Sequence, residues 1–360
     1  MRFSPLLPAG FVALLLSGFH AQAASLQACG RTMDVPAAYG GRITAICGLH
    51  APEDFDAMPD GKHIIISDMR ITPTTPSGLH VLDVATNQLL PLARPRDKGP
   101  DWGDPACIDA GEAAPYAPHG INIFTRPDGA VALLVVTHSQ GERIEFYQLK
   151  QQAHQIVAAY RGCVATDGKG LLNAVAPLPG GGFAASVSFL YADMQKPNGF
   201  RTIVSGIDTG YMLTWDPRTG LRRLPNSEAP FNNGVQTSKD GKLIYFAAWS
   251  GNMIDVYDRT QGKIVRRIKL DFSPDNLRIG PNHTIVAAGI GNVTACLDNP
   301  ASCVNKTFVS AWDPATDRVT PLFYAPEGLL RGTTAGLPVG KYLYVTSIFD
   351  PLVLKISPAK

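Results

Sequence analysis

The chain has 360 residues, with 32 Lys and Arg against 30 Asp and Glu, and neither sign clusters along it. That balance excludes the basic footprint of a nucleic-acid binder and the attraction of a polybasic face to an anionic membrane. The 35 Gly and 29 Pro are spread over the whole length, so frequent tight turns are expected and no linker stands out.

Arg2, the apolar run Phe11 to Leu16 and the small residues around Ala21-Gln22-Ala23 read as a secretory signal over residues 1–24. Residues 25–360 are then expected to form one domain, secreted or periplasmic. No later stretch approaches the ~20 uninterrupted apolar residues that span a bilayer, so no integral membrane segment is expected in the mature chain. In an oxidising compartment the six cysteines are expected to pair. Cys296 and Cys303 close a short local loop and are the first pair expected; the sequence leaves the pairing of the other four open, with Cys29 to Cys47 and Cys107 to Cys163 as one choice. No CxxC occurs, so a zinc site has no support. Asn282, Asn292 and Asn305 head glycosylation sequons.

One pattern recurs along the chain. A polar residue leads into an apolar run, then a Pro, Asp, Asn or Gly turn, then a second run rich in β-branched and aromatic residues. It starts at Glu53, His119, Asn173, Asn233, Asp275 and Gly332. Each copy is a β-hairpin signature. Between the hairpins fall strands such as His80-Val81-Leu82-Asp83, Glu145-Phe146-Tyr147 and Leu213-Thr214-Trp215-Asp216, usually followed by another. A hairpin plus such a pair makes a four-stranded unit. Six units, with a weaker last pair near Leu352-Val353-Leu354, predict an all-β six-bladed β-propeller closed by its first and last blades.

Glu53, Asn233 and Asp275 each lie seven residues before a turn residue, Asp60, Asp240 or Asn282, and Asn173 lies seven before Gly180. In a propeller the innermost strands line the axis, so such positions form a ring around one point. The expected ring is Glu53, Ile121, Asn173, Asn233, Asp275 and Gly332, with Asp54 and Asn276 one step on and no Lys or Arg at the equivalent positions. Buried carboxylates and amides need partners. Asn and Asp also shape turns at strand starts, but four aligned polar positions point to a hard cation. Calcium fits better than magnesium, because it accepts six to eight oxygens in flexible geometry. His119 and His138 fall at the same end of the second blade's hairpin, where a histidine pair can exchange protons near neutral pH.

Taken in order, Pro52-Glu53-Asp54-Phe55, Pro118-His119-Gly120-Ile121, Leu133 to His138, Asn173, Phe231-Asn232-Asn233-Gly234-Val235, Asp275-Asn276-Leu277 and Leu330 to Thr334 resemble the paraoxonases. These are also called arylesterases or serum-type lactonases, and the related gluconolactonases share the propeller and central metal. The resemblance implies a catalytic calcium on Glu53, Asn173, Asn233, Asp275 and Asn276, with His119 and His138 above it. It also implies a second, structural calcium on Asp54, the Ile121 carbonyl and an aspartate directly after Asn173. Here that aspartate is Ala174, so one ion is expected and the second site is weakened. The third blade also departs from the family near Ser186-Val187-Ser188.

The expected activity is hydrolysis of a lactone or aryl ester, a small-molecule substrate, with the metal polarising the carbonyl. His119, relayed by His138, is one candidate base and Glu53 the other, while Phe231 would wall an apolar pocket. Neither a G-x-S-x-G elbow nor an HExxH helix occurs. The alternatives are a sugar lactonase and a non-catalytic exported propeller that uses its calcium for stability.

Overall fold

Short runs rich in Val, Ile, Phe and Tyr, broken every few residues by Asp-Gly and Pro-containing turns, favour pleated strands over helices. The computed structural model describes residues 24–35, 42–109, 111, 115–152, 155–294 and 305–358. Among these, the chain forms six four-stranded antiparallel sheets and one two-stranded hairpin, a six-bladed β-propeller.

The hairpin is β1 (Ala24–Ala28) with β2 (Arg31–Val35), followed by β3 (Ile43–Cys47). Blade one is β4 (Pro52–Ala57), β5 (His63–Asp68), β6 (Gly78–Asp83) and β7 (Leu89–Pro91). Blade two is β8 (Pro118–Thr125), β9 (Val131–Thr137), β10 (Arg143–Gln152) and β11 (Gln155–Ala165). Blade three opens with β12 (Gly170–Pro177) and β13 (Phe183–Leu190). Two short helices intervene, α1 (Tyr191–Met194) and α2 (Gly199–Ile203), before β14 (Tyr211–Asp216) and β15 (Gly220–Arg223). Blade four is β16 (Asn232–Thr237), β17 (Leu243–Ala248), β18 (Met253–Asp258) and β19 (Lys263–Lys269). Blade five is β20 (Ser273–Ile279), β21 (Ile285–Ile290), β22 (Thr307–Trp312) and β23 (Val319–Ala325). Blade six takes β24 (Thr333–Val339), β25 (Tyr342–Ser347) and β26 (Leu352–Ile356) from the end of the chain.

Its fourth strand is β3, paired antiparallel to β26 from Leu352 opposite Cys47 to Ile356 opposite Ile43. The weak last pair in the sequence is therefore one strand from each end of the chain. This pairing joins the chain's two ends in one sheet and closes the ring.

The core lies between blades. Phe146, Phe183 and Trp215 pack blade two on blade three, Leu133, Ile65 and Tyr147 pack blade one on two, and comparable clusters fill the other four seams. Each blade thus buries both faces, and only a closed ring covers all of them. Gly120 and Gly234 matter to the tightness of that ring: a Cβ at Gly120 would run into the Asn173 carbonyl, and one at Gly234 would lie 2.5 Å from the Asp275 carbonyl.

Cys29–Cys47 ties the β1–β2 hairpin to the closing strand, and Cys107–Cys163 ties the loop after blade one to β11, which is the choice named from the sequence. The expected Cys296–Cys303 bridge and residues 1–23 of the expected leader lie outside the described residues. Of the sequon asparagines, Asn305 is 3% exposed, and its side chain accepts hydrogen bonds from the backbone of Gly291, Asn292 and Lys306.

Candidate functional site

Every inner strand breaks its ladder with β9, β13 or their counterparts near its beginning. The interruptions fall at Pro52/Asp54, Pro118/Ile121, Leu172/Val175, Asn232/Val235, Pro274/Leu277 and Thr333/Gly336. Such a bulge re-aims the side chain it carries. Counting outward from it makes Glu53, His119, Asn173, Asn233, Asp275 and Thr334 equivalent. The ring expected from sequence therefore changes in two blades. His119 replaces Ile121 and Thr334 replaces Gly332, because the spacing to the hairpin turn differs there while the bulge does not.

The oxygens of this ring are conspicuous for what they lack. Glu53 Oε2, Asn173 Oδ1 and Asn233 Oδ1 are buried without a hydrogen-bond partner. The other Glu53 oxygen accepts a 2.7 Å hydrogen bond from Asn276 Nδ2, which stitches blade one to blade five. Asn233 bonds the Asp275 carboxylate, whose edge stays open to the cavity. Burial, then the charges of Asp54 and Asp275, push the Glu53 carboxyl well above the usual carboxylate range. Burial and Asp54 do the same to Asp275. Among the described residues no three His, Cys, Asp or Glu side chains gather as a metal cluster. The ring offers instead two carboxylates and several amide oxygens, a donor set of the kind that suits a hard, oxygen-seeking cation. The orphaned, converging oxygens fit such an ion.

Within the ring His119 faces Glu53, with Nε2 3.7 Å from Glu53 Oε1. Its Nδ1 is 2.9 Å from His138 Nε2, and His138 Nδ1 is 2.8 Å from Glu142 Oε1. Glu142 is in turn held by the Leu172 amide at 2.8 Å and the Tyr191 hydroxyl at 2.5 Å. Burial first, and the neighbouring His138 second, hold His119 well below the ordinary histidine range, so its ring is neutral at neutral pH. A proton accepted at His119 has a continuous path through His138 to a buried carboxylate. Glu142 escaped the sequence reading, although its place four residues after His138 is a signal that could have found it.

Above the ring opens a cavity of about 480 Å³. Its floor is Glu53, His119, Asn173, Asn233, Asp275, Thr333 and Thr334, and its walls are apolar, among them Leu171, Phe200, Phe231, Trp249, Ile290 and Phe349. These come from connecting loops and strand ends of several blades. Phe231 stands where it was expected, packed on Trp249 with ring centres 4.9 Å apart and on Phe189 at 5.6 Å. Phe200 reaches the cavity from α2, a helix the strand pattern gave no hint of.

Below the ring, at a position outside it, a cation does lie in the channel: Arg278, 2% exposed, pairs with Asp54. Its Nη2 also donates to the Ile121 carbonyl at 3.0 Å and its Nε to the Phe55 carbonyl at 2.5 Å. Asp54 and Ile121, the positions that a second calcium would use, thus hold a guanidinium, and Ala174 supplies no side-chain oxygen. The residues present do not fit a second metal.

A closed six-bladed propeller with orphaned oxygens at the axis, under an apolar pocket that a histidine pair borders, defines a class of axial-site propellers. Within that class the chain belongs to the arylesterase family, whose model matches residues 50–349. Human serum paraoxonase/arylesterase 1 is 22% identical over 247 residues, 64% of this chain and 63% of that protein. The rat protein of the same name is 21% identical over 256 residues, 66% of each. The chain thus spans just under two thirds of these relatives. In fold it is similar to a luciferin-regenerating enzyme, with TM-score 0.53 at 13% identity over 88% of this chain and 95% of that one. It is also similar to a PQQ-bound aldose sugar dehydrogenase of Streptomyces coelicolor, with TM-score 0.50 at 12% identity over 88% of this chain and 98% of that one.

Proposed function

We propose that this chain is an exported, calcium-dependent hydrolase of lactones or aryl esters with an apolar acyl part, working as a single propeller domain over residues 25–360. The observation that carries the reading is the set of unpartnered buried oxygens on Glu53, Asn173 and Asn233, at the floor of an apolar cavity and beside a His–His–Glu chain. Glu53, Asn173, Asn233 and Asp275, with Asn276 bracing Glu53, would hold the ion. Bound there, calcium supplies a positive charge that polarises an ester carbonyl.

The chain's own residues do the rest. Neutral His119 accepts the proton of the attacking water, His138 takes it onward, and Glu142 stabilises the charge on the pair. The apolar walls orient the acyl portion and favour a hydrophobic substrate over a sugar. Two disulfides among the described residues suit an oxidising compartment.

The test is turnover of phenyl acetate and of simple γ- and δ-lactones, before and after chelation and calcium re-addition, alongside His119→Gln. Activity that a chelator abolishes and calcium restores supports the reading, as does a loss of about 10²–10⁴-fold in kcat for the variant. No turnover of any of these substrates in calcium would leave a non-catalytic propeller, and unchanged turnover in the variant would move the base to Glu53.

A further inference from the structure

The six inner strands carry four carboxylates, Glu53, Asp54, Asp56 and Asp275, and one side chain of permanent positive charge, Arg278. Counted from the bulges, Arg278 is equivalent to Asp56, Asn122, Ala176, Gln236 and Leu337, a second layer two residues deeper than Asp54 and Asn276. This layer is largely satisfied from within. Asn122 Nδ2 lies 3.4 Å from Gln236 Oε1, Gln236 donates to the Leu277 carbonyl at 2.9 Å, and Asp56 accepts from the Ile123 amide at 2.8 Å.

We propose that the Arg278 guanidinium is a built-in cation that replaces a second, structural metal ion, so that the chain takes one calcium, at the ring, and none below it. The inference rests on the reading that the ring above holds an ion. Three observations carry it. First, the space is taken: Nη2 bridges Asp54 and the Ile121 carbonyl, and an ion bound to those two oxygens would have to lie where this nitrogen lies. Second, the donor set is incomplete, because Ala174 stands where a further carboxylate would be required and its amide is bonded to the Ser186 hydroxyl at 3.0 Å. Third, the fork does what a structural ion would do. It joins blade five to Asp54 and the Phe55 carbonyl of blade one and to the Ile121 carbonyl of blade two.

A guanidinium stays charged at any pH a folded protein meets and carries five donors in fixed directions. Its charge offsets part of the negative charge of the inner strands, which leaves one divalent ion enough to bring them close to neutrality. A second ion would reverse the sign. Calcium removal should therefore empty the ring without unstitching the deeper channel.

Calcium bound per chain is to be counted by equilibrium dialysis at millimolar free calcium, for the full chain and for the double variant Ala174→Asp/Arg278→Ser. The expected result is at most one ion in the parent and one more in the variant, with the variant's thermal midpoint rising in an added calcium-dependent step. Two ions in the parent overturn the proposal, as does a folded variant that gains none. No ion in the parent and one in the variant would sink the calcium reading of the ring while upholding the role of Arg278. Should the variant fail to fold with or without calcium, the parent's count alone decides, one ion upholding the proposal, two overturning it and none overturning the calcium reading of the ring on which it rests.

Discussion

A histidine that relays a proton works only if its other nitrogen is fixed, and at His138 that task falls to Glu142, buried to 5% exposure and held by Leu172 and Tyr191. The carboxylate sets the His138 tautomer and so turns Nε2 toward His119. Glu142→Gln preserves shape but removes the charge that stabilises the protonated pair. The expected outcome is a ~10–100-fold fall in kcat with KM nearly unchanged, read on phenyl acetate, while the thermal midpoint stays close to that of the parent. Equal losses in kcat and midpoint would reduce Glu142 to a packing role. At this scale the sequence was most legible where chemistry repeats. Glu53, Asn173, Asn233 and Asp275 stand out because four blades place a polar side chain at one strand position. Glu142 and Arg278 have no counterpart of their kind in other blades, so blade alignment could not reveal them; the spacing of Glu142 to His138 hints at the first, and only the contacts of Arg278 with blades one and two reveal the second.

At the scale of elements, the hairpins were readable because Asp-Gly turns and β-branched runs fix strand identity locally. The bulges were not, since a bulge is a mismatch between two strands and has no signature in either one alone. They decided the ring: with them, His119 and Thr334 join it. The closing strand β3 was equally hidden, because its partner β26 lies at the other end of the chain. This long-range pairing explains the use of a bridge at Cys29–Cys47. Opening it releases a loop of 18 residues, worth about 3 kcal/mol in chain entropy. Opening Cys107–Cys163 releases 56 residues, worth about 4 kcal/mol. Replacing each pair by alanine should lower the free energy of unfolding by about these amounts, with the longer loop costing more. Denaturant titration of the two variants checks the order, and a larger loss at Cys29–Cys47 would show that the bridge also holds the closing strand in register.

At the scale of the whole molecule, buried carboxylates with raised pKa make stability fall as pH rises across the mildly acidic range, and one contributor to that slope lies away from the axial site. Asp255, on β18, is fully buried, and neither oxygen makes a hydrogen bond, although Arg267 Nε on β19 lies 3.3 Å from Oδ1. Burial raises its carboxyl to about 7, against the pull of Arg267 and with a smaller push from Asp208. In the unfolded chain the same group titrates near ~3.9. A folded value above the unfolded one means that the native state holds a proton the unfolded state has released, so unfolding becomes easier as pH climbs from about 4 through about 7. The difference is on the order of a few kcal/mol at most, since water reaching Arg267 on the exposed side screens the site. Asp255→Asn keeps the shape and removes the ionisation. Thermal midpoints of parent and variant should therefore lie closest near pH ~4 and draw apart by pH ~8, the variant gaining over the parent throughout that range. The net charge of +2 gives the molecule little global self-repulsion to produce such a divergence by itself. A constant offset between the two curves over that range would mean that Asp255 is ionised in the native state and fully paired with Arg267.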